Sequence, residues 1–108
     1  MNLQLSLRHF SDIFKQTPQG FSADRLLNEV IYDTRNLNDG RDKVFFALQG
    51  KFRSGFDFIE PAYDQGVRVF VVDKEVSNKK TDACYFVVDD TLEALIKLAA
   101  WHRRRFDI

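Results

Sequence analysis

The sequence predicts a single three-layer α/β/α domain whose mixed sheet has four to five strands. Residues 44–48 (VFFAL) and 67–72 (VRVFVV) are short, mostly apolar runs, which are typical of strands buried on both faces of a parallel sheet. Residues 56–65 between them have a helical pattern and give enough chain for a right-handed βαβ crossover. A further apolar run at residues 84–88 precedes a long amphipathic helix, so helices are expected on both faces of the sheet.

The first third of the chain predicts an edge strand, a helix and a second strand. Residues 2–5 form the short edge strand, and Ser6 offers an N-cap oxygen to a helix that ends at residues 17–20 (TPQG). Residues 26–32 favour extended backbone because they end in β-branched and aromatic side chains. The apolar face of the helix consists of Leu7, Phe10, Ile13 and Phe14.

In the second half of the chain, caps and turn residues mark where the helices begin and end. Pro61 belongs in a first turn, so the crossover helix is expected to begin near Phe58 and to end at a left-handed Gly66. Asp90 is the expected N-cap of the last helix, with Glu93 completing a capping-box pattern. The predicted apolar stripe of that helix consists of Leu92, Leu95, Ile96 and Ala99.

Composition and charge exclude several classes of protein. The chain of 108 residues has 16 basic and 16 acidic side chains, so a duplex nucleic-acid binder that neutralises phosphates is not expected. The basic run 103–105 beside Trp101 is interpreted as solvated cations at a helix end rather than as a nucleic-acid patch. A single cysteine, Cys84, excludes a disulfide framework and argues against a four-ligand zinc site. No apolar run could span a membrane and no secretory signal is present, so we expect a cytoplasmic protein. We also expect it to be a monomer.

No catalytic or metal-binding constellation is present in the sequence. Gly50-Lys51 is the only Gly-Lys pair, but residues 45 and 52 are both Phe, so the pattern of an ATP-binding P-loop is not met. The G-x-G-x-x-G fingerprint is missing as well, and His9, His102 and Cys84 form no nucleophile–base arrangement. We therefore predict no catalytic residue, no metal ligand and no cofactor for this chain.

Two polar loops that follow strands are the candidate binding site. Residues 33–35 (DTR) leave one predicted strand, and residues 49–55 (QGKFRSG) leave the next. Ligands of open α/β sheets bind beyond the carboxyl ends of the strands, and a helix N-terminus after the second loop would favour an anion. The alternative is an ordinary surface loop with solvated cations. In the binding hypothesis a diphosphate is met by Arg35, Lys51 and Arg53, and a base stacks on Phe52 or Phe56.

Four stretches carry patterns whose order and spacing are specific when taken together. They are residues 30–35 (VIYDTR), 44–50 (VFFALQG), 58–72 and 88–99. They resemble four parts of the N-terminal domain of the Mur ligases. In order along the chain these are the D-[ST]-R signature, a strand with its turn, a crossover, and the helix that precedes the ATPase domain. The Mur ligases are the ATP-dependent amino-acid ligases of peptidoglycan synthesis. The resemblance covers essentially the whole chain.

The resemblance implies that residues 1–108 form a domain that binds the UDP end of a UDP-muramoyl-peptide. Thr34 and Arg35 match the signature loop near the nucleotide. The loop that meets uracil and diphosphate is matched by Gly50, Lys51, Phe52 and Arg53. ATP, Mg²⁺ and the catalytic machinery would belong to the central ATPase domain, which is absent from this chain, so the fragment alone is expected to be inactive. Phe56 departs from the family, which often has His there, and residues 38–43 are longer than usual.

Within the family, the chain looks most like the ligase that adds D-alanyl-D-alanine to UDP-N-acetylmuramoyl-tripeptide, because of Thr34 and the helix with Trp101. Residues 102–108 resemble versions that are fused to an alanine racemase. Two alternatives remain open. One is the sibling ligase that adds the third peptide residue, and the other is a non-enzymatic nucleotide-sugar-binding module of the same fold.

Overall fold

The computed structural model describes residues 2–16, 26–32, 39–48, 55–77 and 79–106, and the elements below are those of these residues. A 3₁₀ turn, Gly55–Phe58, leads directly into the second helix. The helices are α1 (Leu7–Phe14), α2 (Ile59–Asp64) and α3 (Thr91–Phe106). The strands are β1 (Asn2–Ser6), β2 (Leu26–Ile31), β3 (Lys43–Phe46), β4 (Val69–Val72) and β5 (Cys84–Val87).

The strands form one five-stranded mixed sheet in the order β1-β2-β3-β4-β5. β1 is an antiparallel edge strand, and β2 to β5 are parallel to one another. The register places Val30, Val44, Val69 and Cys84 side by side across the four parallel strands. The predicted mixed sheet is confirmed, and so are the edge strand and the crossover through α2. No helix in the described part of the chain is long and apolar enough to span a bilayer.

Helices cover both faces of the sheet, which confirms the three-layer prediction. Successive side chains of a strand point to opposite faces, so Phe46 packs beneath α1 and α3 whereas Phe45 packs on the side of α2. Both rings are fully buried, because β3 lies between two covered faces. Among the described side chains, the other fully buried phenylalanines are Phe10 and Phe86 on the first face and Phe70 on the second, and the partly buried Phe14 and Phe58 pack against them.

α1 begins as predicted but ends earlier than predicted. The backbone N–H of Ser6 donates to Nδ1 of His9 at 3.1 Å, which closes the first turn. The helix ends at Phe14, and Lys15 adopts the left-handed conformation with φ of 56°. The chain leaves the helix here because the side chain of Gln16 is bonded to the backbone of β5. The expected stop at residues 17–20 lies outside the described residues.

α2 ends at Asp64, and Gly66 terminates it in the predicted left-handed conformation as part of a Schellman motif. Gly66 has φ of +107°, and its N–H donates to the carbonyl of Tyr63 at 3.0 Å. The N–H of Val67 donates to the carbonyl of Ala62 at 3.1 Å, and the Val67 side chain is buried behind it. The motif turns the chain directly into β4, so the crossover has a defined end.

The predicted apolar stripe of α3 is wrong for two of its four residues. Leu92 and Ile96 are 55% and 59% exposed, whereas Ala94 and Leu98 are buried. The buried arc is turned by about 100°, one residue along a helix, from the predicted one. The reason is that α3 packs against α1 as well as the sheet, and the ring of Trp101 lies 4.9 Å from the ring of His9. Leu95 and Ala99 are half-buried at the border of this arc.

Candidate functional site

The four parallel strands end along one edge of the sheet, and the predicted site follows two of these strand ends in the sequence. β2 and β3 are neighbours, with Ile31 opposite Phe45, so the chain leaves both strands side by side. Residues 33–38 continue from Tyr32, which is 62% exposed, and residues 49–54 continue from Leu48. All six predicted site residues lie outside the described residues, as does the side chain of Phe56. They are Thr34, Arg35, Gly50, Lys51, Phe52 and Arg53.

The exit of the chain from β3 is held by three hydrogen bonds. The N–H of Ala47 donates to the carbonyl of Val71 at 2.9 Å and extends the ladder by one residue. The N–H of Leu48 then donates to the carbonyl of Phe46 at 3.0 Å in a tight turn. The carbonyl of Ala47 accepts a hydrogen bond of 2.9 Å from the hydroxyl of Thr91, which is buried. No sequence pattern assigned a role to Thr91, although it lies beside the predicted cap Asp90.

The N-terminus of α3 is occupied by the protein's own carboxylate. An oxygen of Asp90 accepts hydrogen bonds from the backbone N–H groups of Leu92, at 2.9 Å, and Glu93, at 3.1 Å, which confirms the predicted cap. The negative charge of Asp90 satisfies these groups and the positive end of the helix dipole. This helix end therefore offers no free N–H groups of Leu92 and Glu93 to an anionic ligand.

A cleft of about 400 Å³ lies between the end of α1 and the connection from β5 to α3. Its walls carry the cations Lys15 and Lys97 and the anions Asp89, Asp90 and Glu93. The charges are mixed, and Nζ of Lys97 already lies 3.6 Å from the carboxylate of Glu93. This cleft has no excess of positive charge, so it is a poor match for a diphosphate. The remaining lining residues are Ile13, Phe14, Gln16, Val87, Val88 and Ala94.

At the opposite, amino edge of the sheet, a polar cluster links α2 to the start of β5. The Tyr63 hydroxyl donates to a carboxylate oxygen of Asp82 at 2.6 Å, and Nε of Arg68 lies 3.2 Å from the other oxygen. The guanidinium of Arg68 stacks 3.9 Å from the centre of the Tyr63 ring. The hydrogen bond from Tyr63 lowers the pKa of Asp82, and the same bond raises the pKa of Tyr63. We interpret this cluster as structural, because it lies away from the strand ends where the loops depart.

Cys84 and His9 belong to residue types that often take part in catalysis, but here they contribute to packing and hydrogen bonding. Cys84 is 2% exposed within the core, as predicted for an inert thiol. His9 is engaged through Nδ1 with Ser6 and packs on Trp101. No group of three or more metal-ligating side chains is found in the portion of the chain that the structure describes. The P-loop pattern that binds the phosphates of ATP does not occur in the sequence.

Comparison with known proteins identifies relatives over the whole chain. No family model matches. A UDP-N-acetylmuramoyl-tripeptide--D-alanyl-D-alanine ligase of Synechocystis sp. is 35% identical over all of this chain and 24% of the relative. The ligase of the same name from Buchnera aphidicola is 32% identical over 95% of this chain and 21% of the relative. A UDP-N-acetylmuramoyl-L-alanyl-D-glutamate--2,6-diaminopimelate ligase of Clostridium tetani is 34% identical over 68% of this chain and 15% of the relative.

Solved structures show the same fold. A crystal structure of MurF from Acinetobacter baumannii superimposes on 96% of this chain and 22% of its own, with a TM-score of 0.78 and 19% identity. A ligase structure from the same organism gives a TM-score of 0.76 at 20% identity. The chain spans about a quarter of the length of these proteins. None of these names includes an alanine racemase, so that resemblance stays a prediction. By sequence and by fold together, the chain belongs to the Mur ligase family, as an N-terminal domain of the kind found in its D-alanyl-D-alanine-adding and diaminopimelate-adding members.

Proposed function

We propose that this chain holds the UDP end of UDP-N-acetylmuramoyl-tripeptide in a cytoplasmic, ATP-dependent ligase that adds D-alanyl-D-alanine. In this proposal ATP and Mg²⁺ are bound by a central domain of the ligase, and residues 1–108 supply no catalytic group. The chain alone is a monomer that binds substrate without converting it. Its partners are the nucleotide-linked peptide and the central domain.

The observation that carries the proposal is the parallel pairing of β2 with β3. Because these neighbouring strands end at the same edge, the loop with Arg35 and the loop with Lys51 and Arg53 start from adjacent points. Three cations from two such loops suit a diphosphate, since each charge-assisted hydrogen bond contributes about 1.5–3 kcal/mol. The acidic end of α3 and the mixed charges of the cleft leave these loops as the best cationic candidates.

Binding at this edge would serve a reaction that takes place elsewhere. Affinity for a remote part of the substrate can be used to hold its reacting end in position. The residue types of the two loops suit the UDP group of the substrate, because a nucleotide needs cations and an aromatic surface rather than an acid or a base. The absence of a P-loop from the sequence agrees with this division of labour.

A titration with UDP-N-acetylmuramic acid, followed through the backbone amide signals of the chain, tests the proposal. We expect shifts at Thr34, Arg35 and residues 50–53. Arg35→Ala should raise the Kd about tenfold, which corresponds to the loss of about 1.4 kcal/mol. Arg41→Ala is the matched control, because Arg41 is an exposed arginine that is paired with Asp39 at the amino edge of the sheet.

The proposal fails if the wild-type chain shows no shifts at millimolar ligand. It also fails if Arg41→Ala weakens binding as much as Arg35→Ala does, since the effect would then reflect net charge rather than a site. Shifts centred on Lys15 and Lys97 would move the binding site to the cleft and contradict the assignment to the loops.

The sibling ligase that adds the third peptide residue is a second candidate. It is favoured by the relative from Clostridium tetani, which is named for diaminopimelate addition and is 34% identical over 68% of this chain. An assay of the complete ligase would separate the two. Incorporation of D-alanyl-D-alanine into the UDP-tripeptide supports the first proposal, and incorporation of a diamino acid into the UDP-dipeptide supports the second.

A further inference from the structure

We propose that the exposed side of α3 docks against the central domain of the ligase through Leu92 and Ile96, which together form the α3 stripe. This inference rests on the proposed function, because that function gives the chain a central domain as its partner. It adds the surface through which the two parts meet. The α3 stripe is separate from the cleft, whose walls contain neither of its two residues.

The α3 stripe is an apolar surface that the fold of this chain leaves open. Ala94 and Leu98 are the residues through which α3 is buried in the core beneath α1 and α3. Successive residues of a helix are turned by about 100°, so Leu92 and Ile96 lie within about 40° of each other, outside the buried arc. Their side chains are 55% and 59% exposed. The stripe is therefore a second apolar side of the helix.

The α3 stripe is continuous with the core. Leu95 and Ala99 are half-buried, and they lie between the buried residues and the stripe around the helix. A surface helix that packs on one side has an apolar arc of about 100° or somewhat more, with polar residues elsewhere. The buried, half-buried and exposed apolar residues of α3 cover roughly twice that arc. An apolar arc of this width is typical of a helix that is packed from two sides.

A pair of opposite charges limits the α3 stripe on its polar side. Glu93 and Lys97 are exposed residues one turn apart, and Nζ of Lys97 lies 3.6 Å from the carboxylate of Glu93. The pair belongs to the wall of the cleft. Because the two charges are of opposite sign, they add no net charge beside the stripe. An apolar partner can therefore cover the stripe without meeting an uncompensated charge from this pair.

The small size of the α3 stripe favours a partner that is covalently connected to the chain. Two half-exposed side chains offer much less than the about 800 Å² per partner that a stable complex of separate proteins buries. A second copy of the chain would therefore not be held by this surface. A connected domain has an effective concentration of about millimolar, so a small apolar contact is enough to dock it.

The place of α3 along the chain favours the central domain as that partner. The relative from Synechocystis matches the whole chain with 24% of its own length, so most of such a ligase lies outside the matched part. α3 is the last helix along the chain, which makes it the element nearest in sequence to a domain that follows. Effective concentration is highest for parts that are joined closely, so α3 is the element that this domain meets most often.

Cysteines placed in the α3 stripe measure its exposure directly. Leu92→Cys and Ile96→Cys are made singly, both in the chain and in the complete ligase, and the rate of alkylation by a maleimide is followed. Cys84, the only cysteine of the chain, is 2% exposed and should react slowly. Peptide mass assigns each product to its cysteine. We expect the stripe cysteines to react about tenfold more slowly in the complete ligase, as for a docked state that is open about a tenth of the time.

Leu26→Cys is the matched control for exposure alone. Leu26 is 65% exposed, but it lies at the start of β2, at the amino edge of the sheet. Its alkylation rate should agree within about twofold between the two proteins, because docking at α3 does not change its surroundings. Ile96→Glu added to Leu92→Cys should restore fast alkylation in the complete ligase, since burying an unpaired charge against an apolar surface is unfavourable.

The proposal is overturned if the stripe cysteines react equally fast in both proteins, if Leu26→Cys is protected as strongly, or if Ile96→Glu leaves the protection unchanged. Protection in the chain alone that grows with protein concentration would make a second copy the partner and also contradict it. A photo-crosslinking side chain at position 96 of the complete ligase identifies the contacted part by peptide mass. A crosslink to any part other than the ATP-binding domain overturns the assignment.

Failure of the proposed function can be told apart from failure of this inference, because alkylation is measured without UDP. If the chain does not bind UDP but the stripe is protected in the complete ligase, the nucleotide role is wrong and the docking surface stands. If the chain binds UDP and the stripe is equally reactive in both proteins, the nucleotide role stands and this inference is wrong.

Discussion

The side-chain amide of Gln16 pairs with the backbone of Val87 as a neighbouring strand would. Its Oε1 accepts from the N–H of Val87 at 3.1 Å, and its Nε2 donates to the carbonyl of the same residue. β5 lies at the edge of the sheet opposite to β1, and these are backbone groups on its outer side. Gln16 therefore satisfies part of the open edge and holds the end of α1 against β5.

We expect Gln16→Ala to lower the free energy of unfolding by about 1–2 kcal/mol, because two hydrogen bonds are lost at once. Gln16→Glu should also be destabilising, since a carboxylate cannot donate to the Val87 carbonyl. Urea unfolding followed by the fluorescence of Trp101, the only tryptophan, measures both effects. Asp12→Ala, an exposed change on the same helix, is the control. An equal loss in the control would contradict the role of Gln16.

Gly40 is expected to be the glycine that tolerates substitution least among those with described surroundings. A Cβ added there would lie 2.5 Å from the backbone N of Val67, and backbone cannot move aside as a side chain does. The N–H of Gly40 also donates to the carbonyl of Gln65 at 2.7 Å, so the two segments of backbone are held close together. Gly40→Ala should cost about 1–3 kcal/mol or fail to fold, as overpacking does.

Gly66→Ala provides the comparison for Gly40. A Cβ at Gly66 meets nothing closer than 3.5 Å, so its cost arises only from the φ of +107°. We expect a loss of about 1–2 kcal/mol, the penalty of a left-handed conformation for an L-residue. Thermal unfolding of the two variants measures the order. A Gly40→Ala protein more stable than Gly66→Ala would show that the packing at Val67 is looser than described.

The hydrogen bond from Tyr63 to Asp82 predicts a pH dependence of stability. The pKa of Asp82 is lowered by Tyr63, so the stability it contributes is present above its ordinary value of 3.8 and lost as the pH falls through the lower folded-state pKa. The pKa of Tyr63 is raised by Asp82. Its contribution is therefore present below pH 10.0 and lost as the pH rises through the higher folded-state pKa.

Tyr63→Phe should therefore be less stable than the wild type by a constant amount between about pH 5 and pH 9, and by less outside this range. Urea unfolding at a series of pH values measures the difference. Tyr32→Phe is the control, because Tyr32 is an exposed tyrosine of the opposite edge. If the difference between wild type and Tyr63→Phe did not change at either extreme, the hydrogen bond to Asp82 would not be the source of the stability.

The exposed side of α3 predicts a contrast between two large apolar residues. Ile96 is 59% exposed, so Ile96→Ser should change the free energy of unfolding by no more than about 0.5 kcal/mol. Leu98 is fully buried, so Leu98→Ala should cost about 2–5 kcal/mol. Chemical denaturation of the two variants tests which side of α3 is buried. A larger loss at Ile96 than at Leu98 would restore the stripe expected from the sequence.

The strands were predictable because their signal is local. An apolar run such as residues 44–48 is too short for a typical helix and is typical of a strand covered on both faces, which favours a parallel sheet with helices on each side. The roles of Gly66 and Asp90 as helix caps could be predicted as well, because a helix cap is determined by residues within a few positions of the helix end. The candidate loops followed from the same local pattern, and their binding role stays a prediction.

The sequence by itself determined the main strands and helices, their order along the chain and the mixed character of the sheet. The order of the strands within the sheet came from the structure. Only the tertiary structure decided which arc of α3 is buried, where α1 ends and how the chain leaves β3. The last two depend on Gln16 meeting Val87 across 71 residues and on Thr91 meeting Ala47 across 44. Such bonds form between single polar side chains and backbone groups that come together only when the layers pack. Local hydrophobicity favours Leu92 over Thr91 for burial, but the packing of α3 against α1 and the sheet buries Thr91, whose hydroxyl then finds its partner in the carbonyl of Ala47.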